Sequence, residues 1–191
     1  MATWIAHLRI AERLVEWIPG LDEEAFAVGT IAPDSGVPNE DWTEFDPPAG
    51  ITHFHSLRGG KNEIEDLRFY REYLAEPTTR VPGQRHSSFL WGYFFHLVTD
   101  RLWALKVGQT TRQIFARQFE ADSAFISEVK RDWYGLDFDH VRAHPTSLYW
   151  RVFRTATFVD YPLPFLPQGA IQRNLEYIQK LYQREDEEIE S

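Results

Sequence analysis

The stretch FFHLVTD, residues 94 to 100, breaks an apolar run with an imidazole and a carboxylate, His96 and Asp100. Residues four apart share one face of a helix, about one turn from each other. A charged carboxylate in apolar surroundings is costly unless it is paired or bound to a metal. The spacing therefore serves a structural His–Asp pair and a metal-binding pair equally well. His7 interrupts the apolar face of the first helical segment and, alone, reads as a core histidine. Asp34 lies in GTIAPDSG, where Pro33 and Gly36 favour a tight turn. Alone it reads as a cap or Asx-turn. His53 and His55 flank Phe54 in THFH and share a face if the segment is extended. Taken together, scarce histidines and a loop aspartate gather in the first 100 residues, which points to a metal site. The chain has no cysteine, so it forms no disulfide and any metal is held by imidazole and carboxylate. Such donors suit zinc, with manganese or iron as alternatives, better than calcium or magnesium.

Several elements must position these residues. Apolar residues at helical spacing predict a helix over 4–17, with Thr3 as N-cap and Pro19-Gly20 as its end. A short helix over 21–31 follows, with Asp22, Glu23 and Glu24 in its first turn. Residues 32–61 read as a long irregular segment holding four of the eleven prolines and four of the eleven glycines. A loop of that length in a compact domain implies function. Helices are predicted over 62–75, 86–106, 110–133 and 168–189. Residues 134–147 read as a turn region, and 147–159 as either helix or strand. The expectation is one mostly α domain over 1–191, without repeats or linkers.

Composition narrows the function classes. The net charge is −9, with no basic stripe of the kind a nucleic-acid binder shows. Much of the negative charge lies in the tail REDEEIES, read as the solvated end of a helix. Hydrophobic residues make up 43% of the chain and aromatic residues 15%, ample for a packed core. No stretch reaches the roughly 18 uninterrupted apolar residues of a membrane span. The N-terminal residues lack a signal-peptide pattern. A cytoplasmic location is the expectation, with the oligomeric state left open.

The ordered set WIAHLRIA, VGTIAPDSG, ITHFH and WGYFFHLVTD resembles the zinc-dependent phospholipase C and S1/P1 nuclease superfamily, and within it the short bacterial members. The likeness covers roughly residues 1–106. It implies a multi-helix domain that holds up to three zinc ions and cleaves phosphate esters. On this resemblance His96, Asp100, Asp34 and His53 match the ligands of one zinc. His7, with Asp100 bridging, matches part of a second site. Asp34 is the expected catalytic residue, ligating metal and orienting the attacking water.

The chain departs from the family in two places. The family's N-terminal Trp offers its amine and carbonyl to a metal, and the nearest match here, Trp4, lies inside the chain. RLWALKVG, after Asp100, contains no histidine for another site. His140 and His144, four apart in DHVRAHP, do not follow the family spacing and read as turn-region histidines. Whether His55, His86, His140 or His144 joins the site stays open. The expected function is a metal-dependent phosphoester hydrolase acting on a small phosphate diester or monoester, with a phospholipid headgroup possible as substrate. The alternative is a non-catalytic metal- or ligand-binding protein that keeps the fold with a degenerate site. Trp42, Phe45 and Phe54 could wall the pocket. The HD class of helical phosphohydrolases is set aside because its adjacent His-Asp dipeptide is absent.

Overall fold

Helix α1 (Trp4–Trp17) starts where Thr3, in extended backbone, caps it by accepting the Ala6 N–H through its hydroxyl. Ile5, Leu8 and Ala11 form its buried stripe, and His7 lies among them. Pro19 cannot continue the helix, and Gly20 turns the chain at φ 85°. Asp22 then caps α2 (Glu23–Gly29), accepting from the Ala25 N–H at 2.8 Å. The computed structural model describes residues 1–41, 43–56, 63–75, 84–122, 124–158 and 163–183, and these are mostly helical with little sheet.

Helix α2 lies directly against the long helix α5 (Arg85–Trp103). The approach is set by two glycines. A Cβ on Gly29 would stand 2.2 Å from the Phe89 carbonyl oxygen, and one on Gly92 2.2 Å from that of Phe26. No side chain fits at such distances, so the two backbones meet. Around the crossing, Phe26, Phe89, Tyr93 and Leu97 are fully buried. Each contributes about 1.5–3 kcal/mol through removal of apolar surface from water. The same crossing places His96 and Asp100, on α5, beneath the segment that follows α2.

That segment is the predicted irregular loop, and it carries more structure than expected. A 3₁₀ turn spans Ala32–Asp34, and a two-residue antiparallel ribbon pairs β1 (Val37–Pro38) with β2 (Phe45–Asp46). Helix α3 (Ala49–Thr52) follows. THFH is not extended. His53 caps α3, and Phe54 takes a left-handed φ of 53°, so His53 and His55 leave the chain at a turn. The helix predicted over 62–75 occurs as α4 (Asp66–Phe69) running into a π turn over Tyr70–Leu74.

Beyond α5 two expectations are corrected. The helix predicted over 110–133 is broken into α6 (Gln109–Ile114), α7 (Ala116–Ala121) and the start of α8 (Ile126–Ala143). The turn region predicted over 134–147 is helical as far as Ala143. Val129, Asp137 and Val141 recur at helical spacing and form the buried face. His144 ends the helix before Pro145, where the residue preceding proline is pushed out of the helical region. Of the segment 147–159, read as either helix or strand, the described residues take a helical turn, α9 (Leu148–Arg151), and a 3₁₀ turn, Phe153–Thr155. The last helix, α10, spans Ala170–Leu181. Its predicted extension into the acidic tail lies outside the described residues. Asp137 joins three elements by accepting from the Thr3 hydroxyl and the Tyr182 hydroxyl, each at 2.7 Å. No helix among the described residues is long and apolar enough to cross a membrane.

Candidate metal centre

His96 and Asp100 project from α5 into the space beneath the 3₁₀ turn and α3. Five sequence-predicted residues meet there. His7 arrives from α1, Asp34 from the 3₁₀ turn and His53 from the end of α3. His53 Nε2 lies 3.2 Å from His96 Nε2, 3.2 Å from Asp34 Oδ1 and 3.6 Å from Asp100 Oδ2. His96 Nε2 lies 3.5 Å from Asp100 Oδ2. Around a tetrahedral ion with donors at 2.0–2.1 Å, neighbouring donors stand about 3.3–3.4 Å apart. These four separations lie near that value, and Asp34, His53 and His96 form a group that could hold an ion, with Asp100 beside the two imidazoles.

The opposite ring nitrogens bear on what can lie between the two Nε2 atoms. His96 Nδ1 lies 2.8 Å from the Thr30 carbonyl oxygen, which can only accept. His53 Nδ1 lies 3.2 Å from the Ala49 carbonyl oxygen and 3.0 Å from the Thr52 hydroxyl. Nδ1 protons on both rings satisfy these oxygens, and in a ring protonated only there the Nε2 lone pair points toward the other ring. Two lone pairs at 3.2 Å repel unless a proton or a metal cation lies between them. Backbone carbonyls that fix a histidine tautomer in this way are a regular feature around metal ligands.

A second group shares two of these residues. His7 stacks on His96 with ring centroids 3.9 Å apart, and its Nε2 lies 3.3 Å from Asp100 Oδ1. Neither nitrogen of His7 has a hydrogen-bond partner among the described residues, nor has Asp100 Oδ2. Buried polar atoms left this way are rare. Asp100 Oδ1 accepts from the Ala2 backbone N–H at 2.7 Å. His7, His96 and Asp100 could hold a metal ion, as could Asp34, His53 and His96. The group around His7 draws its other donors from the first set.

Electrostatics agree with the donor set. Burial raises the Asp34 carboxyl, but His96 and the His53 hydrogen bond outweigh it and hold Asp34 below the ordinary range. Burial also opposes ionisation of Asp100, and its contacts with His7 and His96 hold it far below the ordinary range. Burial lowers His96, yet Asp34 and Asp100 bring it above its usual value. Burial and the neighbouring His96 lower His7. Two carboxylates held below their ordinary range give the cluster negative charge that a cation can balance.

The site opens through Asp34, whose side chain is 14% exposed while those of His53 and Asp100 are 1% and 0%. A cavity of about 750 Å³ adjoins it. Trp4, Phe45, Tyr134 and Tyr177 contribute to its walls, with Lys130 and Arg173 adding positive charge. Burial, with Asp34 close by, pushes the Tyr134 hydroxyl up to about 12. Of the aromatic residues expected to wall the pocket, Phe45 does so. Phe54 instead packs in the core against Phe69, Tyr73 and Phe165. Trp42 lies outside the described residues.

The remaining histidines stand apart from both donor groups. His55 has its ring 6.1 Å from that of His53 and pairs through its backbone with Ile64. His86 lies in the first turn of α5. His140 and His144 stack on each other at 4.1 Å along α8. Trp4 was expected only as a poor match for an N-terminal ligand. Its indole N–H donates to Asp34 Oδ2 at 2.9 Å, a contact that no local sequence signal announces.

No family model matches the chain, and no solved structure matches it. Over 65 residues it is 35% identical to a Brevis radix-like protein of Oryza sativa subsp. japonica. That match covers 34% of this chain and 30% of the plant protein's length, too small a share to place the chain in a family.

Proposed function

We propose that this protein is a metal-dependent phosphoester hydrolase of the phospholipase C and S1/P1 nuclease type, with zinc as its ion. The observation that carries the reading is the group of Asp34, His53 and His96, with two Nε2 atoms facing each other at 3.2 Å and Asp100 beside them. A divalent ion in that set supplies Lewis acidity toward a phosphoryl oxygen and a nearby water. The protein's own residues do the rest. Asp34 is the donor open to the cavity, so its carboxylate orients a water there. Lys130 and Arg173 draw an anionic ester into a chain of net charge −9. The aromatic walls exclude water around the ester's organic part, whether a small alcohol or a lipid headgroup.

The test is turnover of bis-p-nitrophenyl phosphate and p-nitrophenyl phosphate by zinc-loaded protein. Hydrolysis should appear with metal, vanish with chelator and be lost in Asp34→Ala. Stoichiometric zinc without turnover of either ester would sink the catalytic reading. The group around His7, which borrows its other donors, favours in that event the second reading of a non-catalytic metal-binding protein.

A further inference from the structure

We propose that Trp4 is a positioning residue whose indole N–H fixes Asp34 as a one-oxygen donor and so sets the coordination number of the metal site. The inference rests on the metal reading above and adds to it a residue outside the donor set. Asp34 divides its two oxygens between different partners. Oδ1 faces His53 Nε2 at 3.2 Å, and Oδ2 accepts from the Trp4 indole at 2.9 Å. A carboxylate free on both oxygens can swing and chelate one ion through both. With Oδ2 held by the indole, only Oδ1 faces the donor set.

The indole is itself held from several sides. Its ring meets Tyr134 of α8 and Tyr177 of α10 edge to face, with centroids 5.9 Å apart in each case. The neighbouring Thr3 hydroxyl donates to the buried Asp137 carboxylate at 2.7 Å. Three helices thus fix one N–H donor. Asp34 is also the donor that needs fixing. It leaves a short 3₁₀ turn and faces the cavity, whereas His96 and Asp100 are embedded in α5. Trp4 lines the same cavity, so the residue that holds Asp34 also touches whatever enters.

Cobalt(II) is the probe, because four-coordinate cobalt absorbs visible light much more strongly than five- or six-coordinate cobalt. Wild-type protein is titrated first, and a wild type that binds no cobalt overturns the metal reading itself. Given binding, Trp4→Phe keeps a ring between Tyr134 and Tyr177 and removes the donor. It should weaken the visible band and lower cobalt affinity by about 10–100-fold, the usual effect of removing a group that orients a ligand. Trp4→His, which restores a ring N–H, should recover part of both. In an Asp34→Ala background Trp4→Phe should have no further effect, since the two act as one unit. A Trp4→Phe protein with the wild-type band and affinity overturns the proposal while leaving the metal reading intact. Wild-type protein labelled with ¹⁵N-tryptophan provides a measurement free of variant misfolding. One indole N–H resonance should move when zinc is added, and if none moves the proposal fails.

Discussion

At the scale of single residues, His96 stands at the centre of the cluster, because it belongs to both donor groups and stacks on His7. Removing one of about four ligands should weaken a zinc site severely. Elemental analysis of His96→Ala should therefore find less than one equivalent of zinc. His7 lies outside the group of Asp34, His53 and His96, so His7→Ala should lose one equivalent at most and keep the other. A His7→Ala protein without any metal would place His7 among the principal donors. His140 gives a pH prediction away from the cluster. Burial, with Arg9 and His144 beside it, holds its imidazole down to about 4. A folded-state value below the ordinary 6.5 means stability that is full above pH 6.5 and lost as the pH falls toward 4. Urea midpoints measured at pH 7 and 4.5 should differ less for His140→Gln than for wild type. Equal differences would rule out this histidine as a source of acid sensitivity.

At the scale of elements, the α2–α5 crossing decides whether the site forms. Gly92→Ala places a methyl group 2.2 Å from the Phe26 carbonyl oxygen, against backbone that cannot rotate away. Overpacking of this kind costs about 3 kcal/mol at the upper end of its range. The denaturant midpoint should fall accordingly. Zinc content should fall with it, because α5 carries His96 and Asp100 while Thr30, just past α2, holds His96 Nδ1. Wild-type stability in Gly92→Ala would mean that the helices can separate without cost.

At the scale of the whole molecule, metal binding and folding are linked, because the donors come from segments that only the folded chain brings together. Zinc at about 1,000 times its Kd adds about 4 kcal/mol to stability. For a chain of this length that corresponds to a rise in Tm of roughly 8–16 °C. Differential scanning fluorimetry should show the rise on adding zinc and its loss with chelator. His96→Ala should show neither. A Tm indifferent to zinc in the wild-type protein would remove the link.

The sequence by itself determined the helical character and picked out His7, Asp34, His53, His96 and Asp100 as a group. Apolar periodicity is a local property, and the caps at Thr3 and Asp22 are written in adjacent residues. The i,i+4 spacing of His96 and Asp100 fixes their common face once the helix exists. Local chemistry misled where a segment read as a turn region, 134–147, is helical as far as Ala143. The tertiary structure alone decided the rest. Contact between Trp4 and Asp34 spans 30 residues, and that between Ala2 and Asp100 spans 98. No pattern along the chain encodes such pairs, because they depend on how closely α2 and α5 approach and on where the 3₁₀ turn falls. Packing also sent Phe54 to the core and Phe45 to the cavity wall, although both are aromatic residues near the same loop.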